Sequence, residues 1–315
     1  MVNFRFHLVS LTAVFLALAA GITIGAGVVD RATVDQIERQ LSDVARRREA
    51  TNAENDQLRA DLARWGEFSE EVGDRLVEGQ LAGVPVVVVA TTGTDRELVE
   101  GFSGALTTAG AEVDATFWFT GLWALDDQER ARQLAGILDV APTTGPDALR
   151  AAGVAAVTAA WETGDGGALV DAMTEAGFLE VATVPPPADA VTPEQLPRPD
   201  SLFVVISSDS ADVPATTLAV PLVTRLAATG RPVLAAQPQR PPVAGGTEAK
   251  ADVAPEFVPG VRAATAAGLI SSVDNLLDYR GRIAAILALR ELRLGRSGHY
   301  GFGPGTALVP EPPPG

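Results

Sequence analysis

Hydrophobic and polar positions follow three successive patterns along this chain. From Leu8 to Val29 every residue is apolar or small and none is charged. Such a run makes about 33 Å of helix against roughly 30 Å of bilayer hydrocarbon, which predicts a transmembrane helix over 8–29 with 1–7 as a short tail. From Val34 to Trp65 a seven-residue repeat takes over. Its a positions are Val34, Leu41, Arg48, Asn55 and Leu62, and its d positions are Ile37, Val44, Thr51, Leu58 and Trp65. Both ends of this seam are apolar and its middle is polar. An Asn at a costs stability but favours two strands in register, so 30–65 is predicted to form a parallel coiled coil that makes the protein a homodimer; the other reading is a solvated helix packing on its own domain, with Arg46-Arg47-Arg48 as an exposed face. Glu54 at g and Arg59 at the following e are placed to pair between the two chains.

Beyond Gly66 the pattern becomes that of alternating strands and helices. A helical connector over 68–81 leads to Val84-Pro85-Val86-Val87-Val88-Val89-Ala90, a continuous apolar run suited to a strand covered on both faces. Thr91 to Thr94 reads as a turn, Asp95 caps a helix to Ala109, and Gly110 ends it. Val113 to Phe119 completes a βαβ unit. Helical patterns follow over 126–138, 146–161 and 167–176, then a strand over 178–183. Pro185 to Pro199 holds six of the 22 prolines and reads as an extended surface connection. A strand over 202–207, a helix over 214–229 and a strand over 232–236 come next. Gln237 to Pro259 reads as a loop, and Arg282 to Leu294 as the last helix. This order predicts an α/β domain over 66–305 with a Rossmann-like, mostly parallel sheet. Residues 306–315 form a Pro-rich tail, disordered from Glu311 onward.

The first segment has two readings, a cleaved signal or an anchor. Arg5 and the small-x-small run Ala17-Leu18-Ala19 suit cleavage, but the apolar run continues to Val29, which favours retention. A tail this short places the N-terminus in the cytoplasm and the α/β domain outside the cell membrane. Ala17, Gly21 and Gly25 recur every four residues, a spacing that lets two membrane helices approach closely and joins Gly21 and Gly25 to the expected dimer interface.

Charge and composition narrow the chemistry. The formal net charge is −16, and residues 66–315 carry all of it, with sixteen basic residues against thirty-two acids. Lys250 is the only lysine. Such a surface repels nucleic acid and anionic lipid; the expected partners, membrane lipid and an envelope or membrane protein, follow from the anchor and the domain it presents. Without cysteine there is neither a disulfide framework nor a thiolate ligand.

Doubly wound sheets bind ligands beyond the carboxyl ends of their strands, here Thr91–Asp95, Ser207–Asp209 and Gln237. The first turn holds a single glycine, Gly93, where a dinucleotide fingerprint needs three, and no phosphate-binding loop of the G-x-x-x-x-G-K-[ST] kind occurs. Ser207 and Ser208 lack the flanking glycines of a nucleophile elbow. No catalytic residue, cofactor or metal ligand is expected. Asp209 with Asp212, or Asp126 with Asp127, offers carboxylates for a hard cation, though adjacent acids at helix starts are more often caps. Gly93 and Asp209 stay as candidate ligand or partner contacts. Gly298-His299-Tyr300-Gly301-Phe302-Gly303-Pro304-Gly305 is the most unusual short stretch. It either presents His299 and Tyr300 to a ligand or partner, or straps the edge of the sheet.

The opening His7-Leu8-Val9-Ser10-Leu11 with Ala13-Val14-Phe15-Leu16-Ala17-Leu18-Ala19, the coiled coil, Gly281-Arg282-Ile283 with Ile286-Leu287-Ala288-Leu289, and Gly298-His299-Tyr300-Gly301 resemble the actinobacterial family named for mycobacterial copper transport protein B. The resemblance implies copper efflux or homeostasis at the cell envelope, with an outer-membrane placement that rests on the family name alone. Through a related member it also implies a cell-separation scaffold that pairs with a membrane partner to regulate septal wall hydrolases. Direct copper export, as a channel component, is the third implication. The residues weigh against that last role. Copper(I) prefers sulfur ligands and copper(II) imidazole, whereas the chain has only Met1, Met173, His7 and His299 to offer.

Overall fold

The computed structural model describes residues 4–141, 143, 145–164, 166–183, 197–239, 257–264 and 269–311, the side chains of 26–34, 70 and 183 excepted. Most of the expected Pro-rich connection and of the 237–259 loop lies outside these residues, as does the side chain of Val34. The chain divides into two compact units, Met1–Glu67 and Phe68–Gly315.

One helix, α1 (Phe4–Val77), supplies all of the first unit's described structure. Its stretch Phe4–Gly25 is long and apolar enough to cross a bilayer, and none of it is buried by protein. Further along, Ile37, Leu41, Val44, Leu58, Leu62 and Trp65 are all exposed in the single chain. Arg59 donates to Asp56 Oδ1 one turn back at 2.9 Å. The helical connector expected over 68–81 is continuous with the preceding segment, and α1 runs through Gly66 to Val77, a glycine inside a helix costing only about 1 kcal/mol.

The second unit is a seven-stranded sheet in the order β3-β2-β1-β4-β5-β6-β7. Its strands are β1 (Pro85–Thr91), β2 (Glu112–Phe119), β3 (Leu179–Thr183), β4 (Leu202–Ile206), β5 (Val233–Ala236), β6 (Ile270–Val273) and β7 (His299–Tyr300). Every neighbouring pair is parallel except β2 with β3. The continuous apolar runs follow from burial on both faces. Val87 and Val89 of β1 point into one core with Phe203 and Val205 of β4, while Val86, Val88 and Ala90 point into the other with Val204 and Ile206.

The first core is covered by α3 (Gln128–Ile137), α4 (Pro146–Thr163), α5 (Gly167–Glu175), α6 (Ala219–Ala228) and α7 (Phe257–Ala263). At its centre Trp161 packs on Phe117 and Phe203, with ring centroids 5.0 and 5.5 Å apart. The second core is covered by α2 (Arg96–Thr108), α8 (Tyr279–Arg293) and the last turn of α1, which contributes Val77.

Four details differ from the sequence expectations. β6, α7 and β7 arise where none was expected. Helix α8 starts at Tyr279 under an Asp278 cap, and it buries Ala284, Ala285, Ala288, Leu289 and Leu292 while Leu294 is exposed. Helix α6 begins at Ala219 rather than at Pro214. Residues 306–311, expected as the start of a free tail, turn back onto the sheet. Ala307 donates to His299 O at 3.1 Å and accepts from Gly301 N at 3.0 Å.

Candidate functional site

In a sheet of this order the strand connections reverse direction between β1 and β4, and the crevice beyond their carboxyl ends is where such folds hold ligands. Here two loops fill that crevice. Asp212 N donates to Thr92 O at 2.9 Å, locking the loop after β4 to the turn after β1. Gly93 has φ +88, and a Cβ there would lie 2.2 Å from Ser210 O and 2.7 Å from Asp212 N. Its lack of a side chain therefore admits protein backbone, not a phosphate. Beneath it, Thr91 Oγ1 and Ser207 Oγ are 2.9 Å apart, and Thr94 donates to Ser208 Oγ at 3.3 Å. These hydroxyls bond to one another, which satisfies the buried Thr91, Thr94 and Ser207 at the strand ends.

Asp209 lies on the same loop as Ser210, so the fold brings it near Gly93. Its carboxylate accepts from Gln237 Nε2 at 2.9 Å, while Gln237 Oε1 accepts from Val258 N at 2.9 Å. Gln237 is only 1% exposed, and it ties α7 to the β4 loop. The other acid pair is a cap. Asp127 accepts from Arg130 N at 2.8 Å, and Asp126 and Asp127 both pair with the Arg130 guanidinium. Among the described residues no group of three or more His, Asp or Glu is arranged to hold a metal ion.

His299 and Tyr300 lie at the opposite end of the sheet from the acid caps, on edge strand β7 beside Ser272 and Val273 of β6. They are built around Asp274, a residue that sequence reasoning did not single out. The Asp274 carboxylate accepts from Phe302 N at 2.7 Å, Gly303 N at 3.0 Å and Arg262 Nη1 at 3.0 Å. The glycines follow from that grip. A Cβ on Gly301, where φ is +126, would lie 1.9 Å from Asp274 Oδ1, and one on Gly303 would lie 2.8 Å from Oδ2. The Gly-rich stretch is thus a strap wound over a buried carboxylate.

Arg262, from α7, holds three points of this corner. Besides Asp274 it donates to Ser272 Oγ at 2.9 Å and to Tyr300 O at 3.1 Å. Ser272 Oγ, which accepts from Arg262, also lies 2.9 Å from His299 Nδ1. Burial, with the Arg262 charge added, lowers the His299 pKa from its ordinary value. Burial, with Glu291 nearby, raises that of the Tyr300 hydroxyl. A groove of about 520 Å³ runs along His299, Tyr300, Arg296 and Val309. Arg290 and Arg296 both bond to Glu291 at its floor, and these bonds hold the Glu291 carboxyl below its ordinary pKa.

The expected membrane-helix and seam residues make no site within one chain. Gly21 and Gly25 have nothing within 4 Å of where a Cβ would sit, and the seam residues described above project from α1 to the outside.

Comparison with known proteins decides the family. The family described as "Copper transport outer membrane protein, MctB" matches residues 1–310. This chain belongs to the MctB family. Proteins named copper transporter MctB from Mycobacterium bovis and Mycobacterium tuberculosis are each 27% identical to it over 336 residues, spanning 98% of this chain and 99% of theirs. A likeness of that length takes in the apolar helix, the sheet and the strap together. Within the MctB family, then, this chain is a membrane-associated protein of the copper-transport type, built as an α/β unit behind an N-terminal apolar helix.

Proposed function

We propose that this protein is a noncatalytic, membrane-anchored member of the copper-transport machinery of the envelope. It pairs through α1 and presents its α/β unit to an envelope or membrane partner, so its effect on copper is indirect. The observation that carries this reading is the closed crevice at the β1–β4 switch point. Gly93 and the Ser210–Asp212 backbone occupy the space a substrate would need, and Thr91, Thr94, Ser207, Ser208 and Asp209 bond to protein partners.

Two further observations support it. The soft ligands that copper transfer requires are scarce. Met173 is fully buried and His299 shares its Nδ1 with Ser272, which leaves one imidazole nitrogen where a copper site needs several soft ligands. The anchor and seam also expose apolar side chains along the length of α1, which suits lipid over Phe4–Gly25 and a second helix beyond it. In this reading the short N-terminal tail is cytoplasmic and the α/β unit lies outside the cell membrane.

Copper titration of the purified full-length protein in detergent tests the indirect role. The expected result is no stoichiometric binding of copper(I) or copper(II) at micromolar concentration. Stoichiometric binding at that level or tighter would overturn it in favour of direct export. The scaffold role for septal wall hydrolases is separable by phenotype. A deletion strain with copper sensitivity but normal septation speaks against that role, and chaining cells with ordinary copper tolerance speak for it.

A further inference from the structure

Residues 66–315 hold two acids for every base, yet residues 280–296 invert that ratio, with five arginines and one acid, Glu291. This stretch is most of α8 and its exit toward β7. The helix is fixed against the end of α1, where Tyr279 donates its hydroxyl to Asp74 at 3.0 Å and Arg290 donates to Gln80 Oε1 at 2.9 Å. Arg290 also pairs with Glu291. Arg293, one turn further on, is exposed and forms no ion pair among the described residues.

A groove lies on each side of it. The first, of about 310 Å³, is lined by Arg293, Arg231, Asp200 and Ser201. Arg231 has only carbonyl partners, donating from Nη1 to Arg198 O at 3.0 Å and from Nη2 to Trp161 O at 3.2 Å. The second is the groove along His299 and Tyr300, where Arg296 pairs with Glu291 through Nε and stays half exposed. Leu294, 59% exposed, stands between the two, and Val309, 43% exposed, lines the second. Arginine and large apolar side chains exposed together beside concave surface are the makings of a protein-binding face.

We infer that this corner, at the carboxyl end of α8, docks an extended protein segment that carries both acidic and apolar side chains. The inference rests on the reading that the α/β unit is presented to a partner, and it gives that partner a chemistry. Carboxylates of the segment meet Arg293 and Arg296, and its apolar side chains cover Leu294 and Val309. Charge complementarity selects the ligand, because the acidic remainder of the unit repels such a segment everywhere else. Asp200 and Glu311 each line one of the grooves, so the attraction is confined to the ridge from Arg293 to Arg296. The grooves favour an extended chain over a bilayer, since a plane of headgroups reaches the ridge without entering them.

Fluorescence anisotropy with the full-length protein in non-ionic detergent, free of copper, tests this with an end-blocked, rhodamine-labelled peptide Glu-Leu-Glu-Glu-Leu-Glu. The expected result is saturable binding that weakens about tenfold in Arg293→Glu and in Leu294→Ser. It should be unchanged in Arg132→Glu, an exposed arginine of α3 on the opposite face of the sheet. Arg293 and Leu294 are both exposed, so these variants keep the fold. An absence of saturable binding would overturn the inference, and so would binding that Arg293→Glu leaves intact. Phosphatidylglycerol vesicles that bind through Arg293 and displace the peptide would make the corner a lipid surface and overturn it as well. Each of these failures leaves the indirect copper role standing, whereas stoichiometric copper binding would remove that role and leave the peptide site in place.

Discussion

The two units spend the same residue types in opposite ways. In the second unit Val86 to Ala90 and Leu202 to Ile206 are at most 4% exposed, sealed between two helical layers. In the first, Leu8, Leu16, Ile24, Leu41 and Leu62 are all more than half exposed. A folded globule satisfies its own apolar surface, whereas a lone helix has no second layer with which to do so. In the proposed arrangement lipid covers Phe4–Gly25 and a second helix covers the seam. The globule's stability is its own, and the helix's environment belongs to its surroundings.

The sharpest break between the units is predicted for core truncation. Phe203→Ala removes a ring packed on Trp161 at 5.5 Å and should destabilise the α/β unit by about 3–5 kcal/mol. Leu58→Ala on α1 should leave that unit's denaturation midpoint unchanged and lower the crosslinked dimer instead. Tryptophan fluorescence in denaturant reads the first effect and gel mobility the second. Equal loss of stability in both variants would erase the distinction between the units.

A smaller effect is expected at the anchor. Leu18→Arg places a charge in the middle of the span, at about 3 kcal/mol against insertion, while the globule folds as before. Extraction at alkaline pH should release part of this variant from membranes, and full retention would show that α1 does not hold the protein there.

Smaller again is the effect at the strap. Asp274→Asn weakens a carboxylate that binds two backbone N–H groups and the Arg262 guanidinium, at roughly 2 kcal/mol. The loss should be local. Amide exchange at residues 299–303 should quicken while β1 and β4 keep their protection.

The mildest expected change is with pH. The folded state lowers the pKa of His299, so the unfolded strap binds the proton more readily. Its stability is whole above about pH 6.5 and is lost as pH falls through the folded value. Glu291, also lowered, acts in the same direction below about pH 4.5, because its bonds to Arg290 and Arg296 fail on protonation. Protection at the strap measured at pH 4 and pH 7.5 should differ, and His299→Gln should remove the upper part of that difference.

The places where sequence and structure part are physically intelligible. β6 is Ile270-Ser271-Ser272-Val273, too short and too polar to announce a buried strand, yet both serines are 0% exposed. Their hydroxyls are used by Gly298 N and by Arg262 with His299, and those partners lie in segments remote from β6 in sequence. Asp274 was passed over for the same reason, since nothing near it in sequence marks it as the centre of the strap. β7 has two residues and exists only because β6 lies beside it. Helix α7 carries Pro259 and Gly260 inside seven residues, a composition that by itself argues for a loop. Gly93 lies in a turn without the dinucleotide fingerprint, and only the approach of Ser210 reveals what its missing side chain admits.

Sequence alone determined what depends on neighbours in the chain. An uncharged run long enough for a bilayer, apolar strands closed by turn residues and an alternation that demands a parallel sheet are all local patterns with one cheap solution each. Tertiary structure alone decided what depends on residues far apart. It closed the crevice with Ser210–Asp212, wound the glycine strap around Asp274 and clamped the end of α1 to Tyr279. Those outcomes turn on contacts of a few ångströms between segments whose separation no periodicity records.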